Sequence, residues 1–109
     1  MKSLTSLLTI PYDGLKALSY VFHYEKPAGF EAPYAVWQET GETDFASNNR
    51  KSERVLEGVI DFYTKEENDS KLDEIEGKLE LMGAGWSLTS ISYEEQTQLI
   101  HFHWEWSVG

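Results

Sequence analysis

The chain contains no cysteine. That absence excludes disulfides, thiolate metal sites and cysteine nucleophiles together, and it fits a reducing compartment. Basic residues are scarce: nine Lys and Arg stand against nineteen Asp and Glu, a formal net charge of −10. Such a surface repels phosphate backbones and anionic membranes, which argues against a basic nucleic-acid groove. No apolar run approaches the roughly 20 residues that a membrane-spanning helix needs. The opening MKSLTSLLTIP has one lysine and a Ser/Thr-broken apolar run, with no small-residue cleavage site after it. It reads as a short amphipathic helix carrying Leu4, Leu7 and Leu8 on one side and stopped before Pro11.

Signatures of catalysis are missing too. There is no GxSxG elbow, no glycine-rich phosphate loop between a strand and a helix, and no HExxH. The carboxylate pairs Glu66/Glu67 and Glu94/Glu95 fall at turns and read as solvated surface rather than as general acid and base. No internal repeat and no low-complexity segment is visible. These absences point away from an enzyme.

What remains is ample for a folded protein. Forty per cent of the residues are hydrophobic and 14% aromatic, which places the chain well outside the disordered class. At 109 residues it reads as one domain spanning residues 1–109, with a core that needs no covalent staples.

Alternation begins near Leu15, where Leu18, Tyr20, Phe22 and Tyr24 fall on one face of an expected first strand and Ser19 and His23 on the other. EKPAGFEAP ends it, and YAVWQET (34–40) follows as a second strand rich in β-formers. RVLEGVIDFYTK (54–65) is the clearest strand, with Leu56, Ile60 and Phe62 on one face and Glu57 and Asp61 on the other. Gly58, on the apolar side, predicts a bulge or a close packing contact.

Leu72, Ile75, Leu79 and Met82 form one stripe of a longer helix. Ser70 is placed to cap it, with Asp73 three residues on as a short capping-box acid. Asp73 and Glu74 suit the positive end of the helix dipole, Glu74 is spaced to pair with Lys78, and Gly83 and Gly85 supply the stop. WSLTSISY (86–93) and roughly 97–108 close the chain as a strand pair. The expected fold is α+β: an antiparallel sheet of four to five strands, the longer helix packed on one face, and a short N-terminal helix.

The final strand holds the sharpest chemical pattern, HFHWEW (101–106). Phe102, Trp104 and Trp106 line one face, and His101, His103 and Glu105 the other. Histidine and carboxylate are metal-ligand types. Three alternate residues, however, span about 13 Å of strand, so the outer two cannot share an ion without a bulge. The histidines would need a ligand from another strand, with His23, Glu57 and Asp61 as candidates. The plainer reading is a polar strand face turned to water or to another subunit, and no metal or other cofactor is expected. Trp37, Trp86, Trp104 and Trp106, at alternating strand positions, read as core rather than as a stacking platform for sugars or bases.

The run from PYAVWQETGETDFASNN through DFYTK and KLDEIEGKLELMGAGW to SYEEQTQLIHFHWEW resembles the tail-completion proteins of long-tailed phages and prophages of Gram-positive bacteria. These are also called tail terminators or head–tail joining proteins. The shared features are the PY strand opening, the polar DFASNN loop, the DFYTK strand end, the acidic helix ending in glycine and the aromatic last strand. The resemblance implies a structural virion protein without enzymatic activity, assembled in the host cytoplasm and located at the tail or neck. It would form a hexameric ring that caps the tail-tube protein and meets the head connector, with DNA only as passing cargo and no membrane partner.

On that reading the polar segment 41–53 orders on assembly and supplies contacts to subunits or partners through Phe45, Asn48, Asn49 and Arg50. His101 and His103 are further interface candidates, and Glu57 and Asp61 are the expected lumen-facing acids.

Overall fold

The computed structural model describes residues 3–42 and 54–109. Two helices and five strands follow in the order α1 (Leu4–Leu15), β1 (Val21–His23), β2 (Tyr34–Glu42), β3 (Leu56–Thr64), α2 (Lys71–Leu81), β4 (Gly85–Glu94) and β5 (Leu99–Val108). The five strands make one sheet in the order β1-β2-β3-β5-β4. This is the expected α+β class, with one departure. β1 runs parallel to β2, so the sheet is mixed; every other pairing is antiparallel. The parallel pairing arises because residues 24–33 carry the chain back along the sheet before β2 begins, where a tight turn would have reversed it. The short N-terminal helix and the second helix are both present as expected, at 12 and 11 residues.

The helix α1 runs through Pro11 instead of stopping before it. Proline removes one helical N–H, but Leu7, Pro11 and Leu15 lie at i, i+4 and i+8 and are all buried. Their burial against the sheet outweighs the lost hydrogen bond. Leu4, expected on the apolar side, is 42% exposed. Because the helix extends to Leu15, the expected first strand shrinks to three residues. Two turns, Leu18 N–H to Leu15 O and Val21 N–H to Leu18 O, occupy the part that alternation had claimed.

The α2 stripe is as expected: Ile75 and Leu79 are fully buried, with Leu72 and Met82 packed beside them. Its end is a Schellman motif. Gly83 takes φ +75° and donates to Glu80 O, and Ala84 N–H donates to Leu79 O. Its start differs from expectation. Ser70 holds the N-cap position but makes no capping hydrogen bond. Asp69, 5% exposed, does the work: Oδ1 accepts from Lys71 N–H at 2.9 Å and Oδ2 from the Thr64 hydroxyl at 2.6 Å. Glu74 accepts from the Tyr20 hydroxyl at 2.8 Å rather than serving Lys78.

Both helices cover the same sheet face, where Ala35, Trp37, Leu56, Ile60, Phe62, Phe102, Trp104, Trp106 and Val108 meet Leu7, Leu15, Ile75 and Leu79 in one core. Trp104 Nε1–H donates to Glu76 of α2 at 2.9 Å. Trp86 is the exception among the tryptophans: it is half-buried at the sheet edge, its indole N–H held by Glu80 at 2.7 Å. None of the described helices is long and apolar enough to cross a membrane.

Candidate metal centre

Among the described residues the opposite sheet face carries no helix, and the odd-numbered residues of β3 and β5 project from it. Antiparallel pairing sets Asp61 directly across from His103, and Tyr63 across from His101. The Asp61 carboxylate therefore sits between the two imidazoles. Its Oδ1 lies 2.6 Å from His101 Nε2 and 2.5 Å from His103 Nδ1. Both contacts are short for nitrogen–oxygen hydrogen bonds. One ligand atom from each residue falls within 4.8 Å of the other two, and all three residues are half-buried.

The surroundings fix the rings. His101 stacks on Tyr63 at 4.5 Å with 16° between planes, and Tyr63 stacks on Tyr34 at 5.0 Å. Lys26 Nζ lies 5.2 Å from the Tyr34 ring centre, closing the row with a cation–π contact. Burial, with the negative charges of Asp61 and Glu94 adding to it, pushes the Tyr63 phenol up to about 12. Burial and Glu94 shift Tyr34 in the same direction. His101 presents its other nitrogen, Nδ1, toward Glu94 Oε2 at 4.0 Å. Two imidazoles and a carboxylate, with a second carboxylate behind one imidazole, make the donor set of a borderline transition-metal site.

The candidates from sequence separate cleanly on this surface. His101, His103 and Asp61 come together. Asp61, one of the three candidate partner ligands as well as an expected lumen-facing acid, is thus the one engaged by both histidines. Glu57 is exposed and pairs with Ser107, four residues along β3 from Asp61, or about 13 Å away. Glu105 is exposed on the same face beyond the group, as the along-strand distance required.

His23 belongs to another cluster two strands away. It is sandwiched between Tyr24 at 3.8 Å and Trp37 at 3.9 Å, and its Nε2 meets Glu39 Oε1 at 2.9 Å. Phe45, Asn48, Asn49 and Arg50 lie outside the described residues. Sequence reasoning missed Tyr34, Tyr63 and Glu94 as the frame of the site. The odd-number parity of Tyr63 with Asp61 was the one available signal.

The fold and this surface define an α+β domain with a two-histidine, one-carboxylate group on its open sheet face. No family model matches the chain, and no curated protein matches it either.

Proposed function

We propose that the chain is a structural assembly protein of a phage or prophage tail, a tail-completion protein that forms a ring between the tail tube and the head connector. The observation that carries this reading is the outer edge of the sheet. β4 is a ten-residue edge strand, and on its helix-side face Leu88, Ile91 and Tyr93 are 40%, 59% and 59% exposed. A long edge strand with apolar side chains is a template for pairing with another chain. A contact from this edge to a different surface of the next subunit is heterologous, the kind that closes into rings. The resemblance of the motifs described above is the second support, and it is what suggests a finished tail as the ring's seat.

The charge fits the same role. Six copies at −10 each repel one another over the Debye length, so subunits assemble when salt or a complementary partner screens them. An acidic passage lets DNA slide through without phosphate contacts. The partners are the chain itself, the tail-tube protein and the head connector, and the location is the virion neck after assembly in the host cytoplasm.

Native mass spectrometry and sedimentation from low to moderate salt, with and without tail-tube protein, test the proposal. The expected result is a ring that gains mass with salt or partner, and that Ile91→Lys abolishes while leaving the monomer folded. A chain that stays monomeric with tail-tube protein present, or that binds duplex DNA tightly, overturns it.

A further inference from the structure

The geometry points to a divalent transition-metal site, zinc by preference, at Asp61, His101 and His103. The inference does not depend on the ring reading: its three ligands lie on β3 and β5, and of β4 only Glu94, at the strand's end, stands near them. The donor set selects the ion class. Imidazole nitrogen with a single carboxylate favours zinc and its neighbours, whereas calcium and magnesium call for mostly oxygen ligands.

The arrangement is already convergent. Asp61 Oδ1, His101 Nε2 and His103 Nδ1 point at one another across two strands, on backbone held by continuous β3–β5 pairing from Leu56 to Thr64. Site residues on paired strands are placed more accurately than residues on loops. Stacking on Tyr63 sets the plane of His101, and Glu94 Oε2 lies 4.0 Å from its Nδ1, beyond hydrogen-bond distance but on the side from which an outer carboxylate orients a metal-bound histidine.

Without an ion, Asp61 accepts an N–H from each ring. An entering ion takes over that role: each ring turns a lone pair inward, a neutral imidazole by exchanging its proton through solvent to its other nitrogen and an imidazolium by releasing one proton. Three protein ligands leave one coordination position of a tetrahedral ion to a water molecule.

The test uses the full chain prepared without a histidine tag and stripped with chelator. Zinc chloride is titrated in by calorimetry, and cobalt(II) is added in a parallel series to read coordination from the visible spectrum. The expected result is one ion per chain, a four-coordinate cobalt spectrum and a thermal midpoint that climbs with zinc concentration.

His103→Ala and Asp61→Asn should each weaken zinc binding by about tenfold or more. Asp61→Asn retains an acceptor oxygen for the two rings, so it keeps the test valid if His103→Ala fails to fold. Glu105→Gln should bind as the unaltered chain does. The inference fails if the stripped chain takes up no zinc. It also fails if Asp61→Asn binds undiminished, or if Glu105→Gln loses the ion, which would put the ligands along one strand instead of across two.

Discussion

A Cβ on Gly58 would lie 2.0 Å from Cζ2 of Trp106 and 2.5 Å from the carbonyl oxygen of Gln38. Gly58 and Trp106 are direct partners in the β3–β5 ladder, and the indole occupies the space a side chain at 58 would need. The sequence left a choice between a bulge and a close contact at Gly58. It is the close contact; the irregularity in that part of the sheet falls on β2, between Glu39 and Gly41.

Gly58→Ala should therefore destabilise the fold by about 3 kcal/mol or more, at the upper end of overpacking costs, because one clashing atom is backbone. Denaturant unfolding measures it. The double variant with Trp106→Leu should cost less than the two single changes added together, since the smaller side chain frees the space. A Gly58→Ala midpoint equal to that of the unaltered chain would move Trp106 elsewhere.

The start of α2 offers a paired comparison. Asp69→Ala removes the acceptor for Lys71 N–H and leaves the O–H of Thr64, itself 1% exposed, without its acceptor, although the Thr64 oxygen keeps Glu66 N–H. The lost cap and the unsatisfied buried group together predict a loss of about 2 kcal/mol. Ser70→Ala, at the position the sequence favoured, should fall within about 0.5 kcal/mol. Reversed magnitudes in thermal melts would restore the serine as the cap.

These cases mark where the sequence was readable. The 72/75/79/82 stripe and the alternation of residues 101–106 were legible because each is a local periodicity that burial simply reads out. Pro11 was not, because whether a helix tolerates proline depends on what the ring packs against. The stretch from Leu18 to Tyr24 alternates convincingly, yet Tyr20 is claimed by Glu74 and Tyr24 adopts φ +72°. The site itself was half legible. Two histidines on one face follow from strand geometry, and Asp61 stood among three candidate ligands. Choosing it required the β3–β5 register, a relation between segments some forty residues apart that leaves no local trace.

Acid should find the edge cluster at Glu39. Burial alone would raise this carboxyl, but hydrogen bonds from His23, from its own backbone N–H and from the Tyr24 hydroxyl outweigh it and hold it below the usual range. A depressed folded-state value means that the unfolded chain takes up the proton first as pH falls. The stabilisation is complete above the ordinary value of 4.5 and is lost as pH drops through it toward the folded-state value. Urea midpoints should fall on acidification through that window. Glu39→Gln should start lower at neutral pH and show a shallower fall. Parallel curves for the two proteins would remove Glu39 from the account.

Alkali should find the open face at Tyr63. Its phenol is pushed from 10.0 up to about 12, first by burial between Tyr34 and His101 and then by the charges of Asp61 and Glu94. Here the sign is opposite to that at Glu39. Between about 10 and 12 the unfolded chain has released this proton while the folded chain still holds it, so stability drops as pH rises. Tyr20, raised by burial and by its hydrogen bond to Glu74, acts in the same direction. Tyr63→Phe should therefore flatten the alkaline loss without abolishing it. In the phenolate absorbance titration, the variant should lack one late-titrating tyrosine. If the missing component instead titrates near 10, Tyr63 is solvated, and the stacked row that orients His101 toward Asp61 does not form.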